Sequence, residues 1–382
     1  MIRMLHLVQD DKFIQTVIPA FEKRTDIISN YVYYRWKHNV PLQFVQKWEK
    51  IRVIDDCKEM IAELQSDNYD VLYLHSLSIS LWQLLKYVPA EKKIIWWSWG
   101  YDIYSPGPYG IRNNFLTIKT ILPITEAAQR NLNTVINKLK NLCISTIMGI
   151  MWHHYKRYIA QRIDYFRPVF HTEYDLMRLV KDFRAKEFYF PRLDSKIVNH
   201  ADYPVNATEG SIQICNSATS VGNHLDVWES IKRFVPQERK IIMPLSYGSK
   251  QYASFVKKQI GSEHKNIETL EHFLPREEYF KLINQCTYFV HGAIRQHAMG
   301  NIYNALLSGR KVFLFKDSII YKHLIKSGFI VFAIEEIDED SFNTPLTMEQ
   351  LNKNIMARER EIEFRNKIGR AVFAEIEESI RK

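Results

Sequence analysis

The feature that most constrains this chain is a succession of short, unalternating apolar runs separated by amphipathic stretches, repeated in two sets. Such runs are too short to span a bilayer and too evenly apolar for half-exposed strands. They read as strands buried on both faces, the pattern of parallel α/β sheets. The first set covers residues 4–8, 70–75, 93–97, 165–170 and 188–190. The second covers 211–215, 240–245, 267–270, 288–290, 311–315 and 330–333. Helical periodicity fills intervals at 57–64, 173–180, 225–234, 252–260, 276–284 and 302–307. Two sets require two sheets, and 382 residues suffice for two domains. A polar, aperiodic stretch at 194–210, with Pro204 and Gly210, separates them. The expected fold is α/β, two Rossmann-like domains facing a cleft. The N-terminal domain takes 1–200 and the C-terminal domain 201–345. Charged helices at 346–382 are expected to pack back on the first domain.

No stretch of about 18 apolar residues exists, so no membrane span is expected. The first apolar run passes straight into Gln9, Asp10 and Asp11, as a buried strand does and a signal peptide does not. Cys57, Cys143, Cys215 and Cys286 are widely spaced, which speaks against a disulfide framework or a zinc site and for a reducing cytoplasm. The net charge of +9 is concentrated: residues 111–170 hold nine Lys and Arg against Glu126 and Asp164. The same segment has an apolar run at 142–152 ending in Trp152, followed by Tyr155, Lys156 and Arg157. That combination suits the anionic inner face of a membrane, with the chain peripheral on it. Equally, the apolar residues can belong to the first core and the cations to its solvated face. A nucleic-acid partner is not expected, because the charge accompanies no recognisable binding motif.

In doubly wound sheets, ligands bind beyond the carboxyl ends of the strands, so the strand tips carry the functional reading. The run at 93–97 ends in Trp99-Gly-Tyr-Asp-Ile-Tyr104. A carboxylate walled by aromatics is poorly solvated, and its raised pKa suits a general base. Asp102 is therefore the candidate base, or the residue that holds it, with His75 at another strand tip in reserve. Trp99, Tyr101 and Tyr104 are the acceptor-binding candidates. The plain alternative is that Asp102 caps a turn and the tryptophans are core.

Three tips in the second half suit a nucleotide diphosphate. Cys215-Asn-Ser-Ala-Thr-Ser-Val-Gly-Asn-His224 offers small hydroxyl and amide groups before a helix, with Asn216, Ser217, Thr219 and His224 as candidates. It lacks the G-x-G-x-x-G fingerprint, which disfavours hydride transfer. Ser246, Tyr247 and Gly248 form a second tip. His291 opens the third, followed by Arg295, Gln296, Gly300, Asn301 and Asn304. There an arginine, a glycine and a helix start coincide, and a guanidinium stabilises a leaving diphosphate where no metal does. Glu271 and Phe273 suit either a base or ribose pocket or a plain turn. The D-x-D at Asp338 and Asp340 lies in a polar connection and reads as a solvated face, so neither metal nor cofactor is expected.

Taken as a set, Trp99-Gly-Tyr-Asp-Ile-Tyr104, Asn216-Ser with Asn223-His224, Tyr247-Gly248, and Arg295-Gln296 followed by Gly300 and Gly309 resemble the family 56 glycosyltransferases. These are the 4-acetamido-4,6-dideoxygalactose transferases of enterobacterial common antigen synthesis. The resemblance implies a GT-B, inverting enzyme. It implies a dTDP-sugar donor and an undecaprenyl-diphosphate-linked glycan acceptor at the cytoplasmic membrane face. The long basic, apolar middle segment departs from that pattern. A donor such as GDP-fucose or a UDP-sugar, or a non-catalytic nucleotide-sugar-binding protein, are the alternative readings.

Overall fold

A computed structural model describes residues 1–11, 13–36, 41–106, 115–118, 121–132, 156–191 and 210–381. The first sheet holds seven parallel strands: β1 (Ile2–Leu7), β2 (Ile27–Tyr34), β3 (Ile51–Ile54), β4 (Val71–His75), β5 (Lys93–Trp97), β8 (Tyr165–Arg167) and β9 (Lys186–Glu187). Their order is β3-β2-β1-β4-β5-β8-β9. Between β5 and β8, β6 (Tyr104–Pro106) and β7 (Leu116–Ile118) make a small sheet of their own. The second sheet has six parallel strands: β10 (Ile212–Ile214), β11 (Ile241–Pro244), β12 (Ile267–Leu270), β13 (Tyr288–His291), β14 (Lys311–Leu314) and β15 (Phe332–Ala333). Their order is β12-β11-β10-β13-β14-β15. Both orders reverse beside the first strand, at β1/β4 and β10/β13, which creates the crevice where doubly wound sheets take ligands.

Most of the strands recognised from sequence are buried on both faces; β12, also recognised, is only half-buried, and the expected strand at 188–190 falls just past β9. Every residue of β4, β13 and β14 is buried. β2 and β3 escaped the reading because they mix exposed with buried positions; Ile28 is 47% exposed.

Two helices cross the division between the sheets. Pro123–Leu132 lies in the first half of the sequence but caps onto the second sheet. Asp226 accepts the backbone N–H groups of Ile124 and Thr125 and the Thr125 hydroxyl at 2.6 Å, and Ala128 joins the core of the second sheet. The C-terminal segment is one helix, Met348–Arg381, where several were expected. A capping box starts it: Thr347 Oγ1 accepts Gln350 N–H, and Gln350 Oε1 accepts Thr347 N–H. Near its start Asn354 holds Ile330 N–H at 2.6 Å, in the second half. Near its end Val372, Phe373 and Ile376 enter the first core beside Phe21 and Phe188. Gly369 makes that approach possible, since a Cβ there would lie 2.2 Å from the Tyr189 carbonyl oxygen.

Candidate functional site

The loops at the carboxyl ends of the two sheets meet, and the site is built where they do. On the first sheet the chain leaves β5 through Gly100, at φ +89°, and folds Asp102 back beneath it. Asp102 is 6% exposed, and its carboxylate accepts three hydrogen bonds. Oδ2 takes Leu77 N–H at 2.9 Å and Trp96 Nε1–H at 2.7 Å, and Oδ1 takes Trp99 N–H at 2.9 Å. Burial raises its pKa, and these three donors partly oppose the rise. The side chain thereby ties the loop after β4 to the loop after β5. Tyr101 leaves the same turn half exposed, with its hydroxyl 2.5 Å from Ser76 Oγ. Tyr104 turns inward and donates to Glu173 Oε1 at 2.8 Å.

His75 is fully buried. It bonds His6 through Nε2 at 3.0 Å, among Phe21, Tyr73 and Trp97. Burial pushes its pKa well below the usual range, so the ring stays neutral. Among the described residues, His75 Nδ1 and Trp99 Nε1 are buried and have no hydrogen-bond partner.

On the second sheet, backbone crowding fixes the tips. Gly248, at φ +118°, pairs with Ala218, whose carbonyl a Cβ would meet at 2.4 Å, so the loops after β10 and β11 run together. Asn223, itself at φ +50°, donates to Gly292 O at 2.7 Å and accepts Leu122 N–H, which joins the β10 and β13 tips. Asn216, Ser217 and Thr219 lie along this loop, with Ser217 and Thr219 hydroxyls 3.3 Å apart. Tyr247 beside Gly248 is 48% exposed. His224 instead points into the core against Tyr252, where burial lowers its pKa to about 4. His291 is likewise interior, stacked on His297 and pushed to about 3 by burial. Glu271 and Phe273 follow β12, the edge strand; Glu271 pairs with Lys257, and Phe273 is 68% exposed. Asn301 accepts the Tyr279 hydroxyl at 2.7 Å, and Asn304 is buried with Oδ1 unpartnered among the described residues. Helix Met299–Leu307 starts at Ala298 without a side-chain cap, and a Cβ at Gly300 would point into open space.

The two motifs touch across the seam. Gln296 packs its amide over Gly100, where a Cβ would lie 2.1 Å from Gln296 Oε1. Gln296 N–H also reaches the Tyr104 hydroxyl. Arg295 donates to Gln296 O at 2.9 Å, and Tyr104, Glu173 and Asp102 of the first half attract its guanidinium. Two acids in this region were not singled out from the sequence. Glu173 is fully buried, and burial pushes its pKa up to about 7. Its signal was an acid in the first turn of a helix that directly follows an apolar strand tip. Asp11, just past β1, lies within electrostatic reach of both Tyr101 and Tyr247. Its signal was its place at the first strand's end.

In the basic segment, Arg112, Lys119, Lys138, Lys140, Trp152 and Tyr155 lie outside the described residues. The described cations are engaged. Arg167 sits 4.1 Å over the Trp97 ring, Arg162 holds Pro89 O and Lys92 O, and Arg157 pairs with Asp182. Among the described residues no helix is long and apolar enough to cross a membrane, and no group of three His, Cys, Asp or Glu is placed to hold a metal.

Over residues 145–361, more than half of its length, the chain matches the family model described as 4-alpha-L-fucosyltransferase glycosyl transferase group 56. No curated protein sequence matches it. Among solved structures it is similar to a glycosyltransferase from Rickettsia africae ESF-5, at 12% identity and TM-score 0.59, over 100% of this chain and 99% of that one. It is similar to Alr3699/HepE of Anabaena, solved with UDP and glucose, at 12% identity and TM-score 0.57, over 96% and 98%. It is also similar to AviGT4, a glycosyltransferase of avilamycin A biosynthesis, at 10% identity and TM-score 0.50, over 99% and 97%. At such identities these likenesses establish the fold, which is GT-B.

Proposed function

The chain belongs to glycosyl transferase group 56, and from that premise we propose that it moves a deoxy or deoxyamino hexose from a nucleotide diphosphate onto a lipid-linked glycan, with inversion. The carrying observation is the contact of the Trp99–Tyr104 turn with Arg295 and Gln296, which joins one motif from each sheet at the crevice. The second sheet takes the nucleotide, at the tips bearing Asn216–Thr219, Ser246–Gly248 and Arg295–Asn301. Uncapped helix N–H groups beyond Ala298 and the guanidinium of Arg295 suit the diphosphate. The first sheet takes the acceptor, beside Trp99 and the half-exposed Tyr101. Asp102, with all three of its hydrogen bonds made to the protein, braces that turn. Support for a dTDP-linked 4-acetamido-4,6-dideoxygalactose is the motif set; the complexes of Alr3699/HepE with UDP and UDP-glucose make UDP-sugars the second donor class to test.

Arg295→Ala is expected to weaken nucleoside diphosphate binding by roughly 1.5–3 kcal/mol, about 10- to 150-fold. Calorimetry with dTDP, UDP and GDP reads this directly, and unchanged affinity would remove Arg295 from the donor site. Transfer assayed with dTDP-, UDP- and GDP-linked sugars names the donor.

The lipid-linked acceptor calls for a membrane surface, which the basic, apolar stretch at 111–170 supplies. Cations near an anionic leaflet contribute about 1 kcal/mol each. Flotation with anionic vesicles is expected to recover the protein. Neutralising Lys138, Lys140, Lys156 and Arg157 together should abolish that recovery. Equally negligible recruitment to anionic and neutral vesicles would refute this placement.

A further inference from the structure

Glu173 sits where a charge is costly. It is fully buried, and a carboxylate removed from water needs hydrogen bonds and a counter-charge to persist. Its oxygens are met one each, Oε2 by Val169 N–H and Oε1 by the Tyr104 hydroxyl, both at 2.8 Å. Neither donor is charged. The cation within electrostatic reach of it is Arg295, which belongs to the other sheet. The connection between them is physical. Tyr104 receives Gln296 N–H, and Arg295 Nη1 returns to Gln296 O at 2.9 Å. A line of hydrogen bonds thus runs from Val169 through Glu173, Tyr104 and Gln296 to Arg295. Tyr104 is 1% exposed, which fixes its ring and leaves its hydroxyl little freedom.

We propose that Glu173 is a positioning residue, which through Tyr104 and Gln296 orients the Arg295 guanidinium toward the donor diphosphate. An arginine on a mobile loop loses rotamer freedom when it binds an anion; one already held in place loses less. The link also crosses between the domains, so the guanidinium takes its binding orientation only when the two loops are in contact. Asp102 is the second acid within reach of Arg295, but its oxygens are occupied by Leu77, Trp96 and Trp99, which leaves Glu173 and Tyr104 to aim the guanidinium. The inference rests on the reading of Arg295 as a diphosphate ligand.

The test is a double-mutant cycle on nucleoside diphosphate binding, with dTDP, UDP and GDP as probes. Tyr104→Phe removes one oxygen and keeps the buried ring. Glu173→Gln removes the charge and keeps the volume. Each is expected to raise the dissociation constant about 10-fold, the effect of one lost hydrogen bond in a charged network. In an Arg295→Ala background each is expected to add almost nothing, because its effect passes through that guanidinium. A merely structural role would give the same factor in both backgrounds, and such additivity overturns the proposal. Wild-type binding by both single variants, with Arg295→Ala impaired, overturns it as well. Unimpaired binding by Arg295→Ala instead overturns the underlying reading of the donor site, and the inference with it. Should Glu173→Gln fail to fold, Tyr104→Phe carries the cycle alone.

Discussion

Asp102→Asn is expected to lower turnover at least about 100-fold and to destabilise the protein at the same time. Three buried donors converge on this carboxylate: Leu77 N–H, Trp96 Nε1–H and Trp99 N–H. An asparagine keeps the shape but replaces one acceptor oxygen by an NH2 group. Placed either way round, that NH2 opposes at least one donor. A buried donor left unsatisfied costs about 1–3 kcal/mol. The turn carrying Tyr101 and Gly100 then loses its brace, and Gly100 is the surface on which Gln296 rests. Misplacing a site by about 1 Å is enough for a 100-fold loss of rate. The same rate loss would follow from removing a general base, so the rate alone does not separate the two roles. Stability does. A base freed of its charge in a buried site should leave the fold as stable or more so, whereas a brace should weaken it. Thermal denaturation beside single-turnover kinetics reads both quantities. A variant that melts with the wild type yet has lost turnover would return Asp102 to the role of base.

The sequence made the sheets legible wherever burial covers both faces of a strand. β4, β5, β13 and β14 were visible for that reason, while β2, with Ile28 in water, was not. The expected strand at 165–170 ends at Arg167, where Pro168, with no N–H to give the ladder, follows and the chain passes into helix His171–Met177. Motif residues were legible as strand tips, but the direction of each side chain was not. His224 and His291 look like ligands by position, but their rings lie in the interior against Tyr252 and His297. Asp102 was ambiguous because spacing does not count hydrogen-bond donors: Trp99 N–H lies three residues away and Trp96 Nε1–H six, but Leu77 N–H, 25 positions away, arrives only with tertiary folding. Glu173 was missed for a related reason. Its raised pKa comes from tertiary burial, which outweighs the opposing hydrogen bond from Tyr104, 69 positions away. The contact of Gly100 with Gln296 bridges two domains, and no local pattern in either motif announces it.

The largest effect on stability is expected from Glu361→Ala, far from the crevice. Glu361 is 8% exposed on the C-terminal helix and gathers partners from several elements. The Tyr303 hydroxyl lies 2.8 Å from both oxygens, His323 Nε2 is at 3.3 Å, Arg358 Nη1 is at 2.7 Å, and Arg365 closes the cluster. Tyr303 and His323 belong to the second half of the chain. His323 in turn stacks on Phe170 of the first half with ring centroids 4.3 Å apart, and Arg365 lies over the Tyr189 ring. This one carboxylate therefore anchors the helix to both halves. Removing one member of a buried charge cluster leaves its partners uncompensated, at about 3–5 kcal/mol when they are fully buried. Both guanidinia keep 20% side-chain exposure, so a loss of about 2–4 kcal/mol is the reasoned figure. The pH dependence follows from the same geometry. Burial alone would raise the Glu361 pKa, but the His323 hydrogen bond and the two guanidinia outweigh it and hold it well below the usual carboxylate range. A carboxyl depressed in the folded state stabilises above its unfolded pKa, and that stability is lost as the pH falls toward the folded value. The stability gap between wild type and Glu361→Ala should accordingly be full near pH 7 and narrow progressively below about pH 4.5, the ordinary glutamate range. Urea denaturation at several pH values measures it. A gap that stays constant down to pH 3, or one below about 0.5 kcal/mol at pH 7, the surface-substitution range, would show that the helix is held by its apolar face alone.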